Sequence, residues 1–133
     1  MKFLYLIIVA SICATLFSSC SKEEGEGGTS KIKGKLYVKD YDSQFNNIID
    51  EYYLYDEFVY IIYGDDEVYS DRFKTHYDGT YQFEYLRKGN YKLFAYSKDT
   101  SQVYPEKIIP IITEVEISEN YQTVEVEDIV IFN

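Results

Sequence analysis

Tryptophan is absent from this 133-residue sequence, and histidine occurs once, at His76. A catalytic triad or a histidine-based metal centre needs an imidazole held in place by other groups. His76 lies in the turn-like stretch HYDG and reads as surface decoration. The patterns GxSxG and HExxH and the P-loop are missing as well. No catalysis and no cofactor are expected. Bases are scarce: 13 Lys and Arg stand against 23 Asp and Glu, a net charge of −10. A chain so acidic repels nucleic acid and anionic headgroups, which disfavours a nucleic-acid partner. Cysteine occurs twice, at Cys13 and Cys20.

Both cysteines lie near the N-terminus. Lys2 opens a short positive region, and Phe3 to Phe17 (FLYLIIVASICATLF) is an apolar stretch. At 15 residues it is short for a helical membrane span, which takes about 20, and it fits a secretory signal instead. Ser18 and Ser19 then precede Cys20, and the chain turns polar at once. This resembles the lipobox of bacterial lipoproteins, in which the signal is cut before a cysteine that then carries lipid. Phe17 departs from the usual leucine. Residues 1–19 are accordingly expected to be a signal peptide. Cys20, the sole cysteine left, then has no partner for an internal disulfide, and two or three acyl chains on it would anchor the protein to a membrane.

The following stretch, SKEEGEGGTS, has no apolar residue. Residues 20–30 are therefore read as a lipidated cysteine and a flexible tether, reaching about 17 Å as a coil. Lys22, Glu23 and Glu24 resemble the export signal of some surface lipoproteins. This favours the outer face of the outer membrane over its periplasmic face.

Residues 31–133 read as strands between turn signals, the pattern of an all-β sandwich. Ile32, Gly34, Leu36 and Val38 alternate with lysines, and FVYIIY (58–63), TYQFEYL (80–86) and YKLFAY (91–96) follow. Asp78-Gly79 is a hairpin signal. Pro105 and Pro110 bracket a segment that crosses between sheets or runs along an edge. TEVEIS (113–118) and QTVEVEDIVIF (122–132) read as a last hairpin whose Glu114, Glu116, Glu125 and Glu127 share a solvated face. One stretch breaks the pattern. Phe45, Ile48, Ile49, Tyr52 and Tyr53 have helical spacing, so a short helix or an extended loop is expected at about 43–55, covering a sheet edge.

Three motifs in order carry a resemblance: IKGKLYVKD (32–40), T-x-x-D-G-x-Y-x-F from Thr75 to Phe83, and L-x-x-G-x-Y from Leu86 to Tyr91. They resemble the carboxypeptidase regulatory-like, or transthyretin-like, domains and the related repeats of surface adhesins. The resemblance implies a seven-stranded Greek-key β-sandwich acting as an accessory module. The longer 40–57 segment departs from the family. Adhesin repeats of this type often join a lysine to an asparagine with help from a glutamate. Here Ala95 holds that place, so no crosslink is expected of Lys39 and Asn133.

Acidic residues invite a test for calcium. The loop from Asp40 starts like an EF-hand but has Gln44 at its fifth position and Phe45 where glycine is required. Asp65, Asp66, Glu67 and Asp71 remain as a cation candidate, with a solvated turn as the plainer reading. Glycosidase chemistry needs two carboxylates across a cleft that holds a sugar ring, which a sandwich of this size rarely supplies.

Strand parity sorts the aromatics. Tyr81, Phe83, Tyr91, Leu93, Ala95, Val59 and Ile61 fall on the buried parity, and Tyr60, Ile62, Phe94 and Tyr96 on the outward one. Either the 40–57 segment covers these four or they form a contact face for a protein or a glycan. The expectation is a non-catalytic envelope lipoprotein, a binding or scaffolding module in a cell-surface complex. The alternatives are a glycan-binding accessory protein, weakened by the missing tryptophan, and an adhesin or structural subunit.

Overall fold

The computed structural model describes residues 23–133; Cys20 and residues 1–19, read above as a signal peptide, lie outside them. Among the described residues there are nine strands and no helix. They are β1 (Glu26–Tyr41), β2 (Ile48–Tyr53), β3 (Phe58–Tyr63), β4 (Asp71–Lys74), β5 (Thr80–Leu86), β6 (Gly89–Lys98), β7 (Ile108–Ile117), β8 (Thr123–Glu125) and β9 (Ile129–Phe132). Two sheets form, one of five strands around β1 and one of four in the order β4-β3-β6-β7. The sandwich expected from the alternating pattern is present, with nine strands where seven were expected.

The long strand β1 organises the first sheet. Its first half pairs antiparallel with β5 and parallel with β8; its second half pairs antiparallel with β2 and parallel with β9. Leu36 marks the changeover, with its N–H bonded to the Gly79 carbonyl and its carbonyl accepting from Leu54 N–H, both at 2.9 Å. A residue's N–H and C=O leave a strand on the same side. So β5 and β2 share one side of β1, and β8 and β9 share the other.

Period-two patterning fills the space between the sheets. Ile32, Leu36, Val59, Ile61, Tyr81 and Leu93 have no exposed surface. Each such side chain contributes about 1.5–3 kcal/mol by leaving water. Two buried serines tie the layers. Ser97 Oγ on β6 accepts from Phe132 N–H on β9 at 2.8 Å, and Ser30 Oγ accepts from Gln122 N–H at 3.0 Å while donating to the Glu119 carbonyl at 2.8 Å.

Several expectations are corrected. The 43–55 segment holds no helix: β2 extends beside Tyr37 to Tyr41, and all six of its residues are exposed. A bend centred on Asp42, whose carboxylate accepts from the N–H groups of Gln44 and Asn46, leads from β1 into β2 where the helix was expected. The tether is shorter than expected, since Glu26 to Ser30 already belong to β1. The Asp78-Gly79 turn forms, with Gly79 N–H bonded to the His76 carbonyl at 2.9 Å, but it joins β4 and β5 in different sheets and so makes a corner instead of a ladder. The last two predicted strands are no hairpin either. β7 lies in the four-stranded sheet and β8 beside β1, where Glu125 pairs with Lys33 at 3.1 Å.

Proline at position 110 fits an edge. Among the described residues β7 pairs with β6 alone, and the bond from Asp99 N–H to the Lys107 carbonyl places odd-numbered residues of β7 toward β6. Pro110 falls on the alternate set, where its missing N–H faces the free edge and costs no ladder bond.

Candidate functional site

The outer face of the four-stranded sheet is aromatic. Alternation in FVYIIY points Phe58, Tyr60 and Ile62 outward while Val59 and Ile61 fill the core. The same alternation in β6 points Lys92, Phe94 and Tyr96 outward. Antiparallel register sets Tyr60 between Arg72 and Phe94, with Ile112 beyond Phe94. The Tyr60 and Phe94 rings stack at 4.9 Å with 11° between planes. Tyr96 stands edge-on to both at 5.5 Å, and Tyr69, from the loop before β4, meets Tyr60 edge-on at 4.9 Å. Arg72 lays its guanidinium 4.2 Å above the Phe58 ring.

This arrangement packs Phe94 to 7% exposure although it lies on the outside of the sheet, while Tyr96 and Ile112 keep 51% and 55%. The four residues singled out by parity, Tyr60, Ile62, Phe94 and Tyr96, share one face. Ile62 lies one row away, opposite Lys92. The 40–57 segment does not cover them, because β2 pairs into the other sheet. Phe58, Tyr69, Arg72 and Ile112 complete the face and were missed by sequence reasoning. Phe58 and Ile112 were readable from parity, whereas Tyr69 reaches the cluster from a loop with no period to follow.

Chemically, the face offers ring edges, an arginine, and isoleucine and proline along β7. Offset and edge-to-face aromatic pairs each add about 0.5–1.5 kcal/mol beyond burial. The cluster is therefore fixed before anything binds, which lowers the ordering cost of association.

The acidic cation candidate does not assemble. Among the described residues no group of three or more His, Cys, Asp or Glu side chains is placed to hold a metal ion. Asp66 N–H closes a turn on the Tyr63 carbonyl at 3.2 Å, and the Asp71 carboxylate accepts from Arg72 N–H at 2.7 Å. Asp65, Asp66, Glu67 and Asp71 are exposed and solvated. His76 is exposed too, edge-on to Phe73 at 5.2 Å. Ala95 is fully buried beneath the face, and Lys39 pairs with Glu51 at 3.8 Å.

A second, polar groove of about 440 Å³ lies where β8 gives way to β9, lined by Lys33, Lys35, Asp78, Glu125 and Asp128. Its charges are largely matched within the chain. Asp128 accepts from the Tyr53 hydroxyl at 3.0 Å, which pushes that phenol's pKa up.

No family model matches the chain, and no curated protein matches it. Among solved structures, a similar chain is a Pseudomonas aeruginosa protein described provisionally as carbohydrate binding. It has 14% sequence identity, covers 85% of this chain and 93% of its own, and has a TM-score of 0.49. Likeness at that level carries neither a topology nor a ligand across. The described residues form a two-sheet β protein whose aromatic outer face none of them covers.

Proposed function

We propose that this protein is a lipid-anchored envelope module that binds a partner through the outer face of its four-stranded sheet and performs no catalysis. The observation that carries the reading is the preformed cluster of Tyr60, Phe94, Tyr96 and Tyr69, which no other element among the described residues covers. An isolated monomer gains little by holding so many aromatic and aliphatic side chains on one solvent-facing sheet. The anchor is lipid on Cys20, the compartment the outer membrane, and its outer face is favoured by Lys22-Glu23-Glu24. The domain is read as a transthyretin-like, carboxypeptidase regulatory-like sandwich on the strength of the motifs around Asp78-Gly79 and Gly89.

Rings standing edge-out favour a protein partner over a glycan. Sugars stack on open ring faces, and the Tyr60 and Phe94 faces are spent on each other. Two measurements test the reading. Cys20→Ser should release the protein from membranes; retention in the membrane fraction without lipid contradicts the anchor. Tyr69→Ala with Tyr96→Ala should abolish cross-links between the protein and its envelope partner in a domain that still shows the circular dichroism of the folded sheets, although it melts earlier for want of three ring pairs. A glycan array positive for one polysaccharide, and lost in the same variant, would move the assignment to the glycan.

A further inference from the structure

The charged residues on the aromatic face are ordered across the strands. Arg72 and Lys74 lie on β4 at one margin, the rings on β3 and β6 in the middle, and Ile112, Glu114 and Glu116 on β7 at the other. Lys74 is paired within the chain to Asp56 at 2.8 Å. Arg72, Glu114 and Glu116 make no ion pair among the described residues, and all three are exposed. A face with a cationic margin, a centre that is apolar apart from Lys92 opposite Glu114, and an anionic margin is complementary to itself in its outer strands.

We propose that the partner of this face is the same face of a second copy of the chain, related by a two-fold axis parallel to the strands. This rests on the reading of the face as a binding surface and names its occupant. Rotation about such an axis lays β4 of one copy over β7 of the other and β3 over β6. Arg72 then comes over Ile112 and Glu114 of the other copy, twice by symmetry, while the aromatic centres meet near the axis. Packed sheets cross at about 30°, which leaves room for the diagonal from Arg72 to Glu114.

The position of the anchor fits this axis and no other in the plane of the face. The chain joins the fold beside Asn90, whose N–H donates to the Glu24 carboxylate at 3.4 Å, and Asn90 lies opposite Glu116 at one end of the sheet. A two-fold axis along the strands keeps both N-termini at that same end. Two lipids on Cys20 would then enter one membrane. An axis across the strands would send them in opposite directions and would also set β4 on β4, cation against cation.

The size of the face sets the strength of the contact. Four strands about 4.8 Å apart and six residues of about 3.4 Å each give roughly 400 Å² per copy. That belongs to the weak class of interfaces. Anchoring in a shared membrane raises the effective concentration of the two faces without any new contact.

The test is energy transfer between donor- and acceptor-labelled full-length lipoprotein in phosphatidylcholine vesicles. Transfer should exceed the level set by random crowding and should fall on dilution with unlabelled protein. Arg72→Glu alone and Glu114→Arg alone should each weaken association about tenfold, since like charges then oppose. The double variant should restore it. Crowding-level transfer for the unaltered protein, insensitivity to both single changes, or failure of the double variant to recover overturns the proposal. Should Arg72→Glu unfold the domain, Tyr96→Lys serves in its place and should likewise abolish transfer. If transfer stays at the crowding level while Tyr96-dependent cross-links to another envelope component persist, the binding face stands and its pairing with itself falls.

Discussion

Tyr60 and Phe94, opposite one another on adjacent antiparallel strands, stack their rings 4.9 Å apart on the outside of the sheet. The pair buries two ring faces that would otherwise meet water and leaves their edges outward. Tyr96 and Tyr69 brace the same ring of Tyr60 from two other directions. A solvent-facing cluster is thereby as ordered as a small core.

Such ordering should be measurable as coupling. In urea denaturation, Tyr60→Ala and Phe94→Ala should each destabilise, and their double variant should lose less than the sum. The expected coupling is about 1 kcal/mol, typical of aromatic pairs. Additivity within about 0.3 kcal/mol would mean that the rings do not interact.

Beneath β1, Gly34 is required by Tyr81. A methyl group at position 34 would meet the Tyr81 hydroxyl at 2.5 Å. Gly34→Ala should cost on the order of 1–3 kcal/mol through overpacking. The same hydroxyl is buried with no hydrogen-bond partner among the described residues. Tyr81→Phe should therefore be neutral or stabilising and should lessen the cost of Gly34→Ala. A loss above about 1 kcal/mol for Tyr81→Phe in chemical denaturation would show that the hydroxyl is satisfied.

Alkaline pH should unfold the domain. Burial, aided by Glu26 and Asp71, pushes the Tyr63 phenol up to about 12, and burial raises Tyr81 and Tyr91 as well. In the unfolded chain these groups lose their protons near 10. Folded values above unfolded ones mean that the stabilisation is complete below pH 10 and is lost as pH climbs through 12. Absorbance at 295 nm should show these tyrosines ionising late, together with loss of structure. A single titration of every tyrosine near pH 10 in a folded protein would contradict the burial.

Gly28 distinguishes a strand from a tether. A methyl group there would lie 2.1 Å from the Leu86 carbonyl oxygen, so Gly28→Ala should destabilise by about 2 kcal/mol or more in thermal or urea melts. A free tether would tolerate the change without effect.

That glycine also shows where the sequence was legible. Strand parity was clear wherever a side chain declares its environment: Val59, Ile61, Tyr81, Phe83, Tyr91 and Leu93 are all buried as the alternation implied. Glu26 to Ser30 were misread because Gly-rich composition signals flexibility. Here it reflects close backbone approach, which composition does not distinguish. The helical spacing of Phe45, Ile48, Ile49, Tyr52 and Tyr53 misled for a related reason. β2 is an exposed edge strand, and with no buried face its apolar residues need keep no period. Sheet assignment was beyond local reading, since a turn as well formed as Asp78-Gly79 can close a hairpin or turn a corner. The contact face was half legible: parity gave Tyr60, Ile62, Phe94 and Tyr96, while the loop position of Tyr69 is a tertiary fact.

The proposed contact is made through the four-stranded sheet. The most direct test is a photo-reactive phenylalanine analogue placed in the full-length protein in cells, at position 96 in one strain and at position 130 in another. Position 130 lies on the outer surface of the other sheet, opposite Tyr37. The account predicts a discrete adduct from position 96 and none from position 130. Adducts from position 130 alone, or from neither position, would contradict it.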